Sequence, residues 1–342
     1  PRGGGPAGVG PAGVSEGPAR AAGRPVTAQH RAEFAALRAI LGALGGLSWE
    51  RAARFGAALG RAGFRPLRIR RDVVEAQIAD CFPEFTPARV RAVAEASYAS
   101  LGRTTVEAAL LPRLGREGVL RLFARVDGWD VFEAARAEGR GVIVVTGHLG
   151  NWEVGGSYVA ARGVPIDGIA RQQGNPLFDR FLTQTRERLG MRVVWDGDAV
   201  RRTPRALKEG RAVAFLADQG ALGLASTYVP FFGRAAKTPR GPAVFALRLG
   251  APVVFGASIR QPDGRFVLTF ERVPVETTGD RERDTDGIVA SYTAVLERWV
   301  RRHPDQYFWQ HRRWKHRPAP GEWDTAEWRA THGAATPFED AP

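Results

Sequence analysis

The chain has 342 residues, of which 44% are hydrophobic, so a sizeable core can form in one large domain or two small ones. Its formal net charge of +13 favours polyanionic partners, which include nucleic acid, anionic lipid head groups and acidic proteins. The single cysteine, Cys81, excludes a disulfide within the chain and a cysteine-rich metal site, and its place at a predicted helix end favours a buried structural thiol.

The N-terminal third differs in composition from the rest. Residues 1–25 are rich in glycine, proline and alanine and are predicted to form a disordered tail, not a secretory signal. Residues 26–135 are predicted to be mostly helical and membrane-associating. Charges such as Arg38 and Glu50 interrupt the apolar residues of 33–64, so a membrane-spanning helix is not predicted. The pattern fits amphipathic helices on a membrane surface, and a helical hairpin packed on the core fits it equally well.

Residues 136–318 alternate between short apolar runs and helical patterns, which predicts an α/β catalytic core with much parallel strand pairing. The predicted strands lie at 141–146, 164–170, 191–196, 212–218, 251–258 and 266–276. The last of these is placed at an edge of the sheet, and an amphipathic helix is predicted over 285–304. Residues 319–342 are rich in proline and alanine and are predicted to be a loose C-terminal tail.

A histidine directly follows the first predicted strand, in the stretch GVIVVTGHLGNWEVGG at residues 141–156. Ligands of open α/β sheets bind at the carboxyl ends of the strands, so His148 is a candidate site residue. Residues five apart on one helix point about 140° away from each other. His148 can therefore meet Glu153 only if the histidine stays in the loop and the glutamate enters the first turn of the next helix.

The residues between His148 and Glu153 support that geometry. Gly147 and Gly150 supply backbone freedom for the bend, and Asn151 is a candidate N-cap. Glu153 would then lie near the positive end of the helix dipole, stay ionised and hold the imidazole as a general base. The alternative is that His148 only ends the strand and that Glu153 is a solvated helix residue.

A general base needs a proton to remove. Within the predicted core, no serine lies in a G-x-S-x-G elbow between a strand and a helix. The nucleophile is therefore predicted to be a hydroxyl group carried by a substrate. Direct transfer onto such a hydroxyl requires two substrates and no covalent enzyme intermediate.

Five blocks of the chain carry a resemblance to a known family. They are GHLGNWE, ARQQGNPLFDR, RALKEGRAVAFLADQ, TYVPFFGRAAKTPRGPAVFALRLGAPVV and YFWQHRRWKHRP, in this order. The first contains an H-x4-E motif. The series resembles the lipid A biosynthesis acyltransferases, which are Kdo-dependent lauroyl and myristoyl transferases of the lysophospholipid acyltransferase superfamily. The resemblance covers residues 30–318.

This resemblance implies a glycerol-3-phosphate-acyltransferase-like fold, in which helices flank a mixed α/β sheet and a helical segment precedes it. It also implies an O-acyltransferase that moves a fatty acyl chain from an acyl carrier protein or CoA thioester to a hydroxyl of a lipid A precursor. His148 would be the general base, held by Glu153. The thioester would be a co-substrate, with no metal or other cofactor, and the enzyme would work at the cytoplasmic face of the inner membrane.

Further candidate residues match the family's other blocks by position. Arg171 is a candidate donor to the developing oxyanion or a ligand of a substrate phosphate. Asp218, with Gln219 beside it, would line the site and orient Arg171 or a loop. Asn175 could contact a ligand or simply cap a helix. The family often has an aromatic residue before this arginine and a proline after it, whereas this chain has alanine and glutamine, and the departure concerns the acceptor.

Lys237 and Arg240 follow a pair of phenylalanines, Phe231 and Phe232. Aromatic rings beside cations suit an amphipathic entrance where an acyl chain meets phosphate groups. The segment at Thr238 is predicted to start a helix, which would be a natural anion site. A strand-to-helix loop with solvated charges is the alternative.

Two other functions stay open at this point. The first is an acyltransferase acting on another glycolipid, such as a phosphatidylinositol mannoside. The second is a non-catalytic basic module that binds membranes or nucleic acid, because residues 301–317 combine six Arg/Lys residues with tryptophan. Nucleic acid binding would not explain the buried strand or the His/Glu pair. The expected partners are therefore acyl carrier protein, a lipid A precursor and an anionic membrane surface.

Overall fold

The structure, a computed structural model, describes residues 24–220, 225–319 and 323–332. Its helices are α1 (Ala28–Leu44), α2 (Trp49–Phe64), α3 (Arg71–Cys81), α4 (Pro87–Leu110), α5 (Gly115–Arg121), α6 (Trp129–Ala137), α7 (Trp152–Ala161), α8 (Pro176–Arg188), α9 (Ala199–Lys208), α10 (Gly241–Leu249), α11 (Arg281–Arg302) and α12 (Thr325–His332). Its strands are β1 (Phe123–Asp127), β2 (Val142–Thr146), β3 (Ile166–Ala170), β4 (Met191–Trp195), β5 (Ala212–Leu216), β6 (Ser226–Phe231), β7 (Arg234–Pro239), β8 (Val253–Arg260) and β9 (Phe266–Val273).

Hydroxyl side chains fix the starts of the N-terminal helices. Thr27, Ser48 and Thr86 each accept a hydrogen bond from the backbone N–H three residues later, which satisfies one of the free donors at a helix start. Pro87 at the first position of α4 adds a preset φ. Cys81 ends α3 and is buried, and burial raises the pKa of its thiol, which confirms the predicted structural thiol.

The sheet that carries the site has seven strands in the order β1-β9-β8-β2-β5-β3-β4. Neighbouring strands are parallel, except for β8 and β9, which are antiparallel. Strand β2 shows why the sheet is central: Ile143 and Val145 belong to one core cluster, and Val142 and Val144 to another on the opposite face. Because β2 is covered on both faces, its sequence is a continuous apolar run. The predicted mixed α/β sheet flanked by helices is confirmed.

The structure corrects several predicted elements. Strand β1 lies within 26–135, which was predicted to be mostly helical, and it pairs in parallel with β9. Strand β9 is therefore not the edge strand that its position in the sequence predicts. Residues 226–239 form an antiparallel hairpin of β6 and β7, so Thr238 lies in a strand and not at a helix start. Residues 1–23 and 333–342 of the two predicted tails lie outside the described residues, and α12 lies inside the second tail.

Helix α4 connects the N-terminal helices to the part of the chain that contains the seven-stranded sheet. A Cβ atom added to Gly102 of α4 would lie 2.1 Å from the carbonyl oxygen of Gly56 in α2, so the two backbones approach each other as only glycine allows. On its other sides α4 contacts α7 and the segment that follows α11. Among the residues that the structure describes, no helix combines the length and the apolar character needed to cross a bilayer.

Candidate active site

The predicted bend between His148 and the next helix is present. His148 lies in the loop after β2, and α7 begins at Trp152. Asn151 caps α7 because its Oδ1 accepts a hydrogen bond of 3.1 Å from the N–H of Val154. Gly150 has a φ of +61°, and a Cβ there would lie 2.0 Å from the carbonyl oxygen of Ser258. The loop can therefore follow its path only with glycine at this position.

A single carboxylate holds His148 by two bonds. Oδ1 of Asp218 lies 2.7 Å from Nδ1 of the imidazole, and Oδ2 of Asp218 accepts a 3.0 Å hydrogen bond from the His148 N–H. This contact follows from the strand order, because Asp218 comes directly after β5, the neighbour of β2, and Thr146 pairs with Leu216. Polar residues that follow parallel neighbouring strands meet at the same sheet edge.

Asp218 is only 2% exposed and remains ionised. Burial raises the pKa of its carboxyl, but the neighbouring imidazole and the two hydrogen bonds from His148 outweigh this and lower the pKa to about 2. An anion at this place favours the tautomer in which Nδ1 carries the proton. Nε2 of His148 then has the free lone pair.

The predicted contact between Glu153 and the imidazole is not present. Glu153 lies in the first turn of α7, as predicted, but its carboxylate accepts two hydrogen bonds from Arg186 of α8, at 3.0 and 2.5 Å. Burial raises the pKa of Glu153, and the Arg186 charge outweighs it, so the net shift is downward. Glu153 pairs with Arg186 because the planar guanidinium offers two N–H groups to one carboxylate. Nδ1 of His148 is already bonded to Asp218.

Trp152 connects the two pairs. Its indole N–H donates to Glu153 at 3.2 Å, and its ring meets the ring of His148 edge to face, with 4.8 Å between centroids. Gln219 completes the group around the imidazole, with its Nε2 at 3.2 Å from Nδ1 of His148. Asp218 and Gln219 were predicted to line the site, and the structure places both against His148.

The C-terminal block forms a wall of this site. The Phe308 N–H donates to the carbonyl oxygen of His148 at 2.9 Å, and Tyr307 forms an antiparallel bridge with Leu149. Tyr307 is buried beside Asp218, and burial raises the pKa of its phenol, so this ring stays neutral. The sequence pattern indicates only a basic, aromatic segment here. It does not predict the contact with the histidine loop, because the contacting residues are about 160 positions earlier in the chain.

Arg313 is a buried cation in the same wall. It is 4% exposed and donates 2.7 Å hydrogen bonds to the Lys237 carbonyl oxygen and to Oγ1 of Thr238. Its charge helps to lower the pKa of Asp218. The hairpin of β6 and β7 is thus attached to the site through Arg313. Lys237 contributes its backbone carbonyl oxygen to this contact.

The remaining candidate residues lie in other surroundings. Arg171 is exposed and pairs with Asp196 at 3.2 Å, so Asp218 does not orient it. Asn175 caps α8, so of its two predicted roles the structure shows the cap. Its Nδ2 also donates to the His30 carbonyl oxygen in α1. Arg240 pairs with acidic residues of α11, which are Glu282 and Asp286. The structure therefore does not bring these three residues to the His148 group.

An apolar cavity lies between α7 and the sheet, with the first turn of α7 in its lining. Trp152, Glu153 and Arg186 line it together with residues from six strands. The rest of its lining is Val144, Thr146, Gly155, Gly156, Val159, Ile166, Gly168, Ile169, Ala170, Met191, Ala214, Leu216, Gly256, Ser258, Leu268 and Phe270. Small residues in three strands leave this space open, and apolar side chains close it. The apolar lining suits a hydrocarbon chain, and Trp152 connects this space to the His148 ring.

Comparisons with known proteins identify the family of this chain. Residues 29–316 match the family described as bacterial lipid A biosynthesis acyltransferase. The lipid A biosynthesis lauroyltransferase of Escherichia coli (strain K12) is 27% identical over 266 residues, which are 78% of this chain and 85% of the relative. The phosphatidylinositol mannoside acyltransferase of Mycobacterium tuberculosis (strain ATCC 25618 / H37Rv) is 32% identical over 165 residues, which are 46% of this chain and 52% of the relative.

A third relative extends the same pattern. The lipid A biosynthesis myristoyltransferase of Escherichia coli (strain K12) is 26% identical over 272 residues, or 76% of this chain and 77% of the relative. The family match covers the N-terminal helices, the sheet and the C-terminal block that together build the site. This chain is therefore an acyltransferase and belongs to the bacterial lipid A biosynthesis acyltransferase family.

Proposed function

We propose that this enzyme, an acyltransferase acting on a glycolipid, transfers a fatty acyl chain from a thioester to a hydroxyl of a lipid A precursor. The observation that carries the proposal is the His148–Asp218 pair, which Trp152 links to an apolar cavity, because the indole contacts the His148 ring and also lines the cavity. The pair supplies a base for a substrate alcohol, and the cavity supplies a place for the acyl chain. The acceptor class is proposed from the relatives, and the thioester donor from the resemblance to the family.

The residues of the site fit a direct transfer. Nε2 of His148 takes the proton of the acceptor hydroxyl as its oxygen attacks the thioester carbonyl carbon. The tetrahedral adduct collapses by breaking its C–S bond, and the protonated imidazole returns the proton to the leaving sulfur as a thiol. Asp218 holds the ring and stabilises the imidazolium that forms between the two steps. Glu153 acts on the cavity wall, through Arg186 and Trp152, and not on the ring.

The donor is proposed to be acyl carrier protein, with acyl-CoA as the alternative thioester. The net charge of +13 favours an acidic carrier protein, a phosphorylated glycolipid and an anionic membrane surface alike. No further cofactor enters the proposed reaction, because the thioester itself supplies the driving force for forming the ester.

The proposal also includes peripheral binding to the cytoplasmic face of the inner membrane. Phe55 and Leu59 lie one turn apart on α2 and are exposed, and Leu67 and Ile69 of the following loop are 65% and 54% exposed. Exposed arginines surround them, namely Arg51, Arg54, Arg61, Arg65, Arg68 and Arg70. Apolar side chains beside cations are typical of a surface that enters the head-group region of an anionic bilayer.

The reaction is tested with labelled acyl carrier protein thioesters and a Kdo-lipid A precursor. We expect His148→Ala to lower turnover by roughly 10²–10⁴-fold, because general-base catalysis contributes about that much. His303→Ala is the control, since His303 is a partly buried histidine at the end of α11 that stacks on Trp299. Equal product from parent and His148→Ala would contradict the proposed base. A phosphatidylinositol mannoside offered in parallel tests the other acceptor class.

Membrane binding is tested separately by sedimentation with vesicles. We expect Leu67→Glu and Ile69→Glu to weaken binding to phosphatidylglycerol vesicles by roughly tenfold. Each variant replaces an apolar side chain that would enter the head-group region by a carboxylate, which the negatively charged lipid repels. Val200→Glu is the matched control, since Val200 is 74% exposed on α9. Unchanged binding of the loop variants, or equal loss with Val200→Glu, would overturn this docking surface.

A further inference from the structure

The apolar cavity has a far end that the strand register locates. Leu216 pairs with Thr146 near the catalytic loop, whereas Ala212 of the same strand pairs with Ile166, which pairs with Met191. Met191 therefore lies four residues along the strands from the Thr146–Leu216 pair, which is the pair next to the histidine loop. At about 3.3 Å per residue, this places the row of Met191 roughly 13 Å below that loop.

The side chain of Met191 extends from that row into the space between α7 and β3. A Cβ atom added to Gly156 of α7 would lie 2.9 Å from Cε of Met191, and one added to Gly168 of β3 would lie 3.7 Å from it. The thioether thus lies between the helix and the sheet, in a gap that two glycines leave open. Met191 is the only methionine of the chain and is 7% exposed. An unbranched side chain of this kind adapts its length and direction to what it contacts.

We propose that Met191 closes the far end of the cavity and sets the longest acyl chain that the enzyme transfers efficiently, an inference that rests on the proposed function. The reacting carbonyl is fixed at His148, so each added methylene moves the methyl end of the chain closer to the thioether. A longer chain must displace Met191 or bend, and either change weakens transition-state binding. Gly156 and Gly168 determine how far the thioether can withdraw.

Two substitutions move the cavity floor in opposite directions. Met191→Ala removes the thioether, so palmitoyl and stearoyl chains should gain relative to lauroyl chains. Gly156→Ala introduces a Cβ that meets the thioether and pushes it toward the cavity, so shorter chains should gain. Gly156 lies inside α7, where alanine is the more favourable residue, so this variant should fold.

The experiment measures kcat/KM of the full chain with lauroyl, myristoyl, palmitoyl and stearoyl thioesters of acyl carrier protein. We expect Met191→Ala to raise the palmitoyl-to-lauroyl ratio by about tenfold or more, because one or two methylenes in an apolar pocket change discrimination by that order. Met191→Leu should keep the parent ratio, since it conserves volume. Leu207→Ala is the control for a cavity elsewhere, because Leu207 is buried on the opposite face of the sheet.

The outcomes separate the two proposals. Turnover by the parent with an unchanged chain-length profile in Met191→Ala and Gly156→Ala would overturn the role of Met191 and leave the proposed function standing. Absence of turnover with every donor would overturn the proposed function. In that case, thermal stabilisation by free fatty acids of the same lengths still tests whether Met191 closes the cavity. The same dependence of stabilisation on chain length in the parent and in Met191→Ala would overturn this role of Met191.

Discussion

Two carboxylates lie next to the same histidine loop, Asp218 buried and Glu153 partly buried, and their partners differ in kind. Asp218 holds an imidazole, which can gain and lose a proton, whereas Glu153 holds Arg186, whose charge is permanent. The first pair lies at the ends of two strands and the second between two helices that cover the cavity. A carboxylate paired with a titratable ring can take part in proton transfer, and one paired with a guanidinium fixes the position of its elements. The H-x4-E spacing alone does not distinguish these roles.

The largest expected effect comes from the first pair. Asp218→Asn should lower kcat/KM by roughly 10²–10⁴-fold, because a neutral amide neither fixes the required tautomer nor stabilises the imidazolium. Turnover of the thioester by the folded protein measures it. Asp167→Asn is the control, since Asp167 is also buried and ionically paired, with Arg192 and Arg211, but it lies in β3 away from the loop. An Asp218→Asn enzyme with parent activity would remove the basis of the comparison.

The second pair should affect stability more than turnover. Glu153→Gln leaves the Arg186 charge without its partner, so the free energy of unfolding should fall by about 3 kcal/mol. Denaturant unfolding measures this change, and replacing both residues, Glu153→Gln with Arg186→Met, should recover part of it. The comparison fails if Glu153→Gln loses as much turnover as Asp218→Asn while unfolding at the parent's denaturant concentration. That result would make Glu153 the functional partner of the histidine.

The smallest expected effect is a pH dependence at His311, a histidine that belongs to neither pair, although the charges of Asp218 and His148 also act on its pKa. Burial lowers the pKa of His311 to about 4, below its ordinary value of 6.5. Between these values the unfolded chain binds the proton more strongly, so stability falls as pH decreases from 6.5 to 4. His311→Gln should reduce this fall in the free energy of unfolding by about 1–2 kcal/mol. The value is smaller than for a fully buried ring, because solvent screens the partly exposed imidazole.

Unfolding measured at intervals across this pH range tests the effect of His311. His303, whose pKa burial also lowers, is present in both proteins and cancels in the difference. Asp218 contributes in another range, because its pKa of about 2 lies below its ordinary 3.8 and its stabilisation is lost only as pH falls between these values. A pH profile of His311→Gln that coincides with the parent profile would contradict the assignment.

The sequence predicts the parts of the site that depend on local order. The apolar run before His148, the cap at Asn151 and the position of Glu153 in the first helical turn all follow from neighbouring residues, and all are present. The partner of His148 does not follow in this way. Asp218 is 70 positions away and reaches the imidazole only because β5 lies next to β2, an order that a list of strands does not contain.

The same reason explains the other differences. Strand β1 is short and only partly buried, and its pairing with β9 takes place across about 140 residues, so a local pattern reads this region as helical. The contact of Arg186 with Glu153 does not follow from the helical pattern of α8, because the two residues are 33 positions apart in the chain. The cavity depends on Gly168 and Gly256, whose small size matters only once α7 covers the sheet.

The bridge between Leu149 and Tyr307 also bears on the order in which the enzyme matures. A chain made from its N-terminus produces His148 long before the segment that donates a hydrogen bond to its carbonyl oxygen. The nascent protein can form its first helices and several strands while the histidine loop still lacks one wall. The surroundings of His148 are thus completed only after the segment around Tyr307 has been made, and a chain clipped before this segment carries the imidazole without the wall that holds it in place.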